Sequence, residues 1–296
     1  MVSDSKERSL RIVALIAVRN EELYIGRCLE HLCRHGIEFC LIDNGSTDRT
    51  VEIAKTYLGR GLARIVPVEY PGFYDWVGLL RLKQQLAVEI EADWFIHHDA
   101  DEIMEAPVPD VSLAQAIASV DAAGFNAINF NEFVFVPTDE SESFEGTDYV
   151  ERMRYYYFFE PHPVRLVRCW KKAPDIELAN SGGHGASFHG KALFPHNFAL
   201  RHYIVLSSAH ARRKYSVQRK YSEEEVRDRG WHGWRAEFRD EMVRLPRREQ
   251  MSERIQGLDW DTSMPRKEHL FIDRSKQAIA DLEMPARSPP GFSAAR

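Results

Sequence analysis

The residues best suited to chemistry stand together as HHDADE, His97 to Glu102, directly after the apolar run Trp94, Phe95, Ile96. If that run is a strand, Asp99 and Asp101 leave the same face with Cα atoms roughly 6.5 Å apart. At an effective dielectric of about 20, two unit charges at about 6 Å disfavour each other by roughly 3 kcal/mol. The pair must therefore be well solvated or share a cation. A calcium loop would need Asp or Asn at position 103 and Gly at 104, where Ile103 and Met104 stand. A hydrated magnesium or manganese ion remains, because such ions are commonly held by one or two carboxylates together with the phosphates of a substrate. The alternative is a solvated acidic turn leading into Ile103.

Two further polar clusters follow apolar runs, VRNEE at Val18 to Glu22 and DNGSTD at Asp43 to Asp48. Asn-Gly is a hairpin signal, yet a helical pattern follows it, which leaves Asp43 free to accept hydrogen bonds from a ribose or a base. Asn20 reads as a helix cap, with Glu21 and Glu22 suited to the positive helix start. Arg81 is either an exposed helix charge or a bidentate fork for bound phosphates.

The elements that must position these clusters are four strands, Arg11 to Val18, Glu38 to Asp43, Leu62 to Val68 and Asp93 to His98. Helices are expected between them. The first has Ile25, Leu29 and Leu32 on one face and Gly36 at its end. The second starts at Ser46 with Val51, Ala54 and Leu58 inward, and the third carries Leu79, Leu82, Leu86 and Ile90 on one stripe with Arg81 off it. Such βαβ alternation implies an α/β fold with a mainly parallel sheet covered on both faces. Ligands of open sheets of that kind bind beyond the carboxyl ends of the strands, where the three polar clusters fall. Beyond Pro109 the rhythm changes: a helix from Ser112 to Ala123, an alternating segment Ala127 to Val136, the aromatic run Arg154 to Pro163, a strand Val164 to Trp170, and a glycine- and histidine-rich stretch from Ser181 to Tyr203. The expected division is 1–110 and 111–210 as two halves of one domain, a helical extension over 211–287 and a disordered tail over 288–296.

The ordered set VRNEE, DNGSTD, an arginine eighteen residues before the first of the paired aspartates, and DADE resembles family 2 glycosyltransferases of the GT-A fold over roughly Arg11 to Glu105. That resemblance implies a three-layer α/β/α domain with a nucleotide-sugar donor lying over the first half of the sheet. Val18, Arg19 and Glu21 would line the base, Asp43 and the neighbouring Asn44 would contact the base or its ribose, and Arg81 the diphosphate. Asp99 and Asp101 would form the DxD pair that holds a divalent ion, Mn²⁺ or Mg²⁺. Asn44 departs from the pattern, since many members carry a second Asp there. The chemistry implied is glycosyl transfer to a hydroxyl of a glycan or lipid-linked acceptor, as in polysaccharide biosynthesis. An inverting displacement then needs a base opposite the leaving diphosphate. His184, in the SGGH loop, is the candidate, with Asp175 and Glu177 as rivals, because an imidazole pKa near 6.5 suits the task. His202, in RHY, is the candidate third metal or diphosphate ligand.

Composition bounds the reading. The net charge of -6 and pI near 6.1 speak against nucleic acid as a partner. The longest apolar run, Ile12 to Val18, is far short of a membrane span and, with Arg19, Asn20 and Glu21 after it, reads as a core strand rather than a secretion signal. Cys28, Cys33, Cys40 and Cys169 show no CxxC spacing, so core thiols in a reducing, cytoplasmic setting are expected. The run from Arg212 to Glu225 reads as a solvated helix face, since three glutamates close it; docking to a membrane surface or an anionic acceptor is its alternative. Trp231, Trp234 and Tyr155 to Phe159 are expected in the core rather than stacked on sugars. Two rival functions are a sugar nucleotidyltransferase, disfavoured because VRNEE contains no glycine to cradle phosphate, and a non-catalytic nucleotide- or sugar-binding module.

Overall fold

The computed structural model describes residues 9–218, 220–257 and 259–276. The first half alternates as expected: β1 (Ile12–Val18), α1 (Ile25–Arg34), β2 (Glu38–Asp43), α2 (Thr50–Lys55), β3 (Leu62–Pro67), α3 (Trp76–Glu89) and β4 (Trp94–His98). There follow β5 (Glu102–Glu105), α4 (Leu113–Ala122), β6 (Ala127–Phe135), α5 (Tyr149–Arg152), β7 (Tyr155–Phe159), β8 (Leu166–Lys171), β9 (Phe198–His202), α6 (Ser208–Arg212), α7 (Glu223–Arg229) and β10 (Ser252–Glu253). One sheet runs in the order β10-β7-β6-β8-β4-β1-β2-β3, with β9 joining β5 to β6. Pairing is parallel from β3 through β2 and β1 to β4, and antiparallel where β8 meets β4 and β6 and where β7 meets β6. Strands of both halves thus share one sheet.

The period-two alternation of the strands explains the three layers. Along β1, Ile12, Ala14 and Ile16 pack with Ile25, Cys28, Leu29 and Leu32 of α1 and Leu113 and Ile117 of α4, while Val13 and Leu15 pack with Leu79, Leu80 and Leu86 of α3. A strand buried on both faces needs no polar alternation, which is why β1 reads IVALIAV. Helix ends follow local chemistry. Gly36, at φ +72°, ends α1 with its N–H on Cys33 O at 3.1 Å and the Ile37 N–H on Leu32 O at 3.0 Å, a left-handed cap that a Cβ would strain. Ser112 and Gln115 close a reciprocal capping box on α4.

Several expectations need correction. Asn20 does not cap α1, which starts at Ile25 after a turn over residues 21–24; it sits at φ +55°, and its Oδ1 accepts from Thr47 N at 2.7 Å, tying the loop after β1 to the loop after β2. Asparagine tolerates that left-handed conformation better than most residues. Helix α2 starts at Thr50 rather than Ser46, because Ser46 N donates to the Asp43 carboxylate at 3.0 Å in a turn; it ends at Lys55, and Leu58 is left 67% exposed. The described part of 211–287 holds short helical pieces, Arg213–Gln218, Glu223–Arg229, Gly233–Arg235, Asp240–Met242 and Arg248–Gln250, rather than one long helix. Gly230, Pro246 and Pro265 interrupt it, and Trp234, Met242, Val243, Phe271 and Ile272 pack as a third core cluster against Val134, Tyr157 and Phe159 of β6 and β7. The expected tail 288–296 lies outside the described residues. The cysteine reading holds: Cys28, Cys40 and Cys169 are buried, Cys33 is half-buried, and all are free. The aromatics Tyr156 to Phe159 are core residues, as expected. Among the described residues no helix is long and apolar enough to cross a membrane.

Candidate functional site

The parallel register brings the polar clusters to one rim. Val18 lies opposite Asp43 and Ile16 opposite His98, so the chain leaves β1, β2 and β4 at nearly the same height. A cavity of about 570 Å³ opens there. After β4 the chain turns tightly: Glu102 N donates to Asp99 O and Asp99 N to the Glu102 carboxylate, both at 3.2 Å. Asp101 O accepts from Tyr203 N at 2.8 Å, and β5 pairs β9 with Glu102 opposite His202, which delivers His202 to the acidic turn.

The two aspartates escape mutual repulsion by taking separate cations. Asp99, its side chain 30% exposed, accepts from Arg168 Nη1 at 3.2 Å, with Lys83 Nζ at 3.9 Å and His97 Nε2 at 3.7 Å. Asp101 accepts from Lys214 Nζ at 2.8 Å and faces His202 Nε2 at 3.5 Å. Behind them, Arg168 Nη1 donates to both oxygens of buried Glu102 at 2.5 and 2.6 Å. Glu132 of β6 is paired with Arg165 and accepts from His202 Nδ1 at 2.7 Å. Burial alone would raise the Asp99 pKa, but Arg168 and Lys83 hold it below the usual carboxylate range. Burial pulls Lys83 down to about 8 against the pull of Asp99.

His202 shows the same competition with the opposite outcome. Burial works against its charge, yet Asp101 and Glu132 on either side raise it to about 10. An imidazolium whose pKa lies above the unfolded value near 6.5 stabilises the fold fully below about pH 6.5, and that stabilisation disappears as pH rises through about 10. Wild-type stability should therefore lose a component of up to about 4 kcal/mol between pH 7 and pH 10 that His202→Gln lacks. Denaturant melts of both proteins across that range check this, and parallel profiles would contradict it.

The two imidazoles of HHDADE serve the floor of the site. His98 Nδ1 donates to Asp99 O at 2.7 Å, which fixes its tautomer and the turn. His97 is fully buried, its ring edge-on to Trp76 at 5.7 Å, and burial followed by the charges of Lys83 and Arg168 keeps it neutral. Gly183, at φ +81°, passes over this pair so closely that a Cβ would lie 2.9 Å from His97 Cε1 and 3.0 Å from Trp76 Cζ2.

The far wall comes from the C-terminal residues. Tyr74 N donates to Lys220 O at 2.6 Å, and Glu225, whose carboxylate is also 2.7 Å from His232 Nε2, accepts from Val77 N at 2.7 Å at the start of α3. Tyr221 stacks on His232 at 4.2 Å and Tyr74 on Trp76 at 5.4 Å, giving the cavity an aromatic side. The run 212–225 is accordingly not a solvated helix face: Lys214 and Tyr215 are each 3% exposed and, with Arg213, line the cavity. Trp231 lines it too, whereas Trp234 is buried in the core.

Of the residues singled out from sequence, Arg19, Glu21, Asp99, Asp101, His184 and His202 line the cavity together. Val18, Asp43, Asn44, Arg81, Asp175 and Glu177 do not. Asn44 is buried and its amide donates to Glu69 O at 3.3 Å, a loop-bracing role. Asp43 holds Ser46 N, one strand end away from the cavity wall. Arg19 donates to Asn44 O at 2.9 Å and lies over the Tyr70 ring at 3.5 Å. Arg81 is exposed on α3, and the cation that α3 sends inward is Lys83. Asp175 accepts from His189 N at 2.8 Å at the surface, and Glu177 from Asn180 N at 2.8 Å in its own turn. Sequence reasoning misses Lys83, Glu132, Arg165, Arg168, Lys214 and Arg235. Two carry a signal: Lys83 falls on the buried stripe of Leu79, Leu80, Leu86 and Ala87, and Arg168 interrupts the apolar strand of Leu166, Val167, Cys169 and Trp170. A cation in such a place needs a buried acid.

Among the described residues no three His, Cys, Asp or Glu side chains are gathered as a ready-made metal cage. A hydrated Mg²⁺ or Mn²⁺ shared with substrate phosphates needs no such cage. Asp99 and Asp101 offer oxygen, and His202, oriented through Nδ1 by Glu132, would join them only after losing the Nε2 proton that Asp101 and Glu132 favour. The donor set therefore fits such an ion, with Lys214 competing for Asp101.

Comparison with known proteins bears on the first strands most directly. The chain is 30% identical over 112 residues to the lipopolysaccharide core biosynthesis glycosyltransferase LpsC of Rhizobium meliloti (strain 1021), a match that covers 38% of this chain and 39% of that protein. It is 33% identical over 100 residues to the uncharacterized glycosyltransferase RT0209 of Rickettsia typhi (strain ATCC VR-144 / Wilmington), covering 34% of this chain and 31% of that one. Both matches span less than two-fifths of the relative's length. The S. aureus TarS 1–349 structure in complex with UDP is similar at a TM-score of 0.42 and 13% identity, over 66% of this chain and 61% of that one. Residues 13–72, from β1 to the loop beyond β3, match the family model described as glycosyl transferase family 2.

Proposed function

We propose that the chain is a glycosyltransferase that moves a sugar from a nucleoside-diphosphate sugar to a hydroxyl of a glycan or lipid-linked acceptor, with inversion and with a divalent cation. The observation that carries this reading is the acidic turn itself: Asp99 and Asp101, both at the cavity wall and each already balanced by cations, at the carboxyl ends of parallel strands. The family match over residues 13–72 and two relatives named as glycosyltransferases, one of them of lipopolysaccharide core biosynthesis, support it.

The departing diphosphate carries the negative charge that develops in such a transfer, and stabilising it where it forms lowers the barrier. Arg168 and Lys83 beside Asp99, and Lys214 beside Asp101, place fixed positive charge there. Asp99 and Asp101, with His202 once it has given up its Nε2 proton, would hold Mn²⁺ or Mg²⁺, which supplies Lewis-acid polarisation of the diphosphate when bound. Arg19 and Glu21 would meet the nucleoside from the β1 side, and Asp43 would reach it only through the turn it braces. For the base, His184 is retained over Asp175 and Glu177 because it alone of the three faces the cavity. His184 lines the cavity as an exposed side chain, where the charges of Arg165 and Arg168 disfavour its protonation and leave the ring able to accept. The phosphate charges of a bound donor would raise its pKa towards the working range.

Thermal melts with a panel of nucleotide sugars, each with and without Mn²⁺, test the proposal. A donor at 100 times its Kd stabilises by about 2.7 kcal/mol, so one member of the panel should raise Tm by at least about 4 °C, and more with the ion than without. A panel in which no nucleotide sugar shifts Tm would falsify the reading.

A further inference from the structure

On the cavity wall beside β6 and β7, the cations differ in how far they are committed to acids. Arg165 is committed to Glu132, Arg168 to Glu102, Arg213 to Glu145 at 2.7 Å and Lys214 to Asp101. Arg235 lines the same cavity, and no ion pair with it is found among the described residues. Its guanidinium lies 5.0 Å from the centre of the Trp234 ring, and its Nε is buried without a hydrogen-bond partner. A guanidinium placed against an aromatic face keeps its orientation and presents its remaining N–H groups as a fork.

Arg165 belongs to the same packed group. It lies 5.0 Å from the centre of the Phe159 ring, His269 stacks on that ring at 4.1 Å, and Trp234 meets His269 edge-on at 6.3 Å. Through Phe159, His269 and Trp234 the two guanidiniums thus border one region of the cavity. That region is not where the nucleoside belongs. The sheet order places β6 and β7 beyond β8 and β4 from the rim of β1 and β2 that carries Arg19.

We infer that the acceptor enters over β6 and β7 and carries an oxyanion, a phosphate or a carboxylate, that docks on Arg235 with Arg165 beside it. The inference rests on the glycosyltransferase reading, since only that reading makes this end of the cavity an acceptor site. Charge-assisted, bidentate contacts of this kind discriminate strongly against a neutral isostere.

The test uses the full chain saturated with Mn²⁺ and the nucleoside diphosphate that stabilises it most, titrated by calorimetry with inorganic phosphate and, separately, with acetate. One of the two anions should bind in the millimolar range. Arg235→Gln should weaken that binding at least about tenfold, and Arg235→Lys, which keeps the charge but not the fork, by less. Tighter binding of phosphate assigns a phosphorylated acceptor, and tighter binding of acetate a carboxylated one. If the loaded chain takes up neither anion, or if Arg235→Gln binds as tightly as wild type, the subsite is overturned while the donor site stands. If the chain takes up no nucleoside diphosphate at all, the donor reading fails, and the acceptor role given to Arg235 fails with it.

Discussion

Asp99→Asn should lower the rate of glycosyl transfer by at least about a hundredfold, the scale on which removing one electrostatic element of a charged transition state acts. The substitution is nearly isosteric and removes a single negative charge from a side chain that is 30% exposed at the cavity wall. The local fold should persist, because the turn is closed by the Asp99 backbone on both sides and Arg168 keeps its two bonds to Glu102. What changes is the balance of the site. Lys83 and Arg168 lose their shared acid, and a carboxylate that could share a divalent ion with the donor becomes a weakly polar amide. Steady-state rates with the stabilising nucleotide sugar check the expectation, alongside circular dichroism to confirm the fold. A variant within threefold of wild type would show that Asp99 does not face the reacting diphosphate.

The second large effect is on stability. Arg168→Met removes the guanidinium that serves both Glu102, 2% exposed, and Asp99. A buried carboxylate stripped of its partner costs about 3–5 kcal/mol, so Tm should fall by about 5–8 °C. Because that cost comes from the orphaned acid rather than from lost packing, adding Glu102→Gln should restore a large part of it. A double-mutant cycle on thermal melts separates the two sources. Equal instability of the single and double variants would mean that Arg168 matters only as a filler between β8 and β4.

How much of the fold and the site is legible in the string depends on whether the cause is local. The apolar strands β1, β2 and β4 and the glycine end of α1 follow from periodicity and from one residue's backbone freedom, and they stand within a residue of expectation. The cap of α4 obeys the same kind of local rule. Asn20 departs from expectation because its partner, Thr47, is 27 residues away, and a cap signal cannot be told from a loop-to-loop staple at short range. The site behaves likewise. Asp99, Asp101 and His202 are singled out through their chemistry and line the cavity, but the cations that let two neighbouring aspartates coexist lie far along the chain: Arg168 is 69 residues from Asp99, and Lys214 is 113 from Asp101. Phosphate chemistry in the abstract favours Arg81 over Lys83, whereas the helix period decides which of the two points inward. The residues from 211 onward mislead for a related reason. Their charges suggest solvent, yet Lys214 is held in the interior by Asp101 and by the carbonyl of Ile204 at 2.9 Å.

If the acidic turn activates a diphosphate leaving group, the release of nucleoside diphosphate reads that activation most directly. Purified chain, the stabilising nucleotide sugar and Mn²⁺ should together liberate nucleoside diphosphate slowly without acceptor and faster with a glycan or lipid-linked one, and the sugar should be recovered on the acceptor. A protein that binds the nucleotide sugar tightly but leaves it intact over many hours, with every acceptor and ion supplied, would be a binding module, and Asp99 and Asp101 would have no part in catalysis.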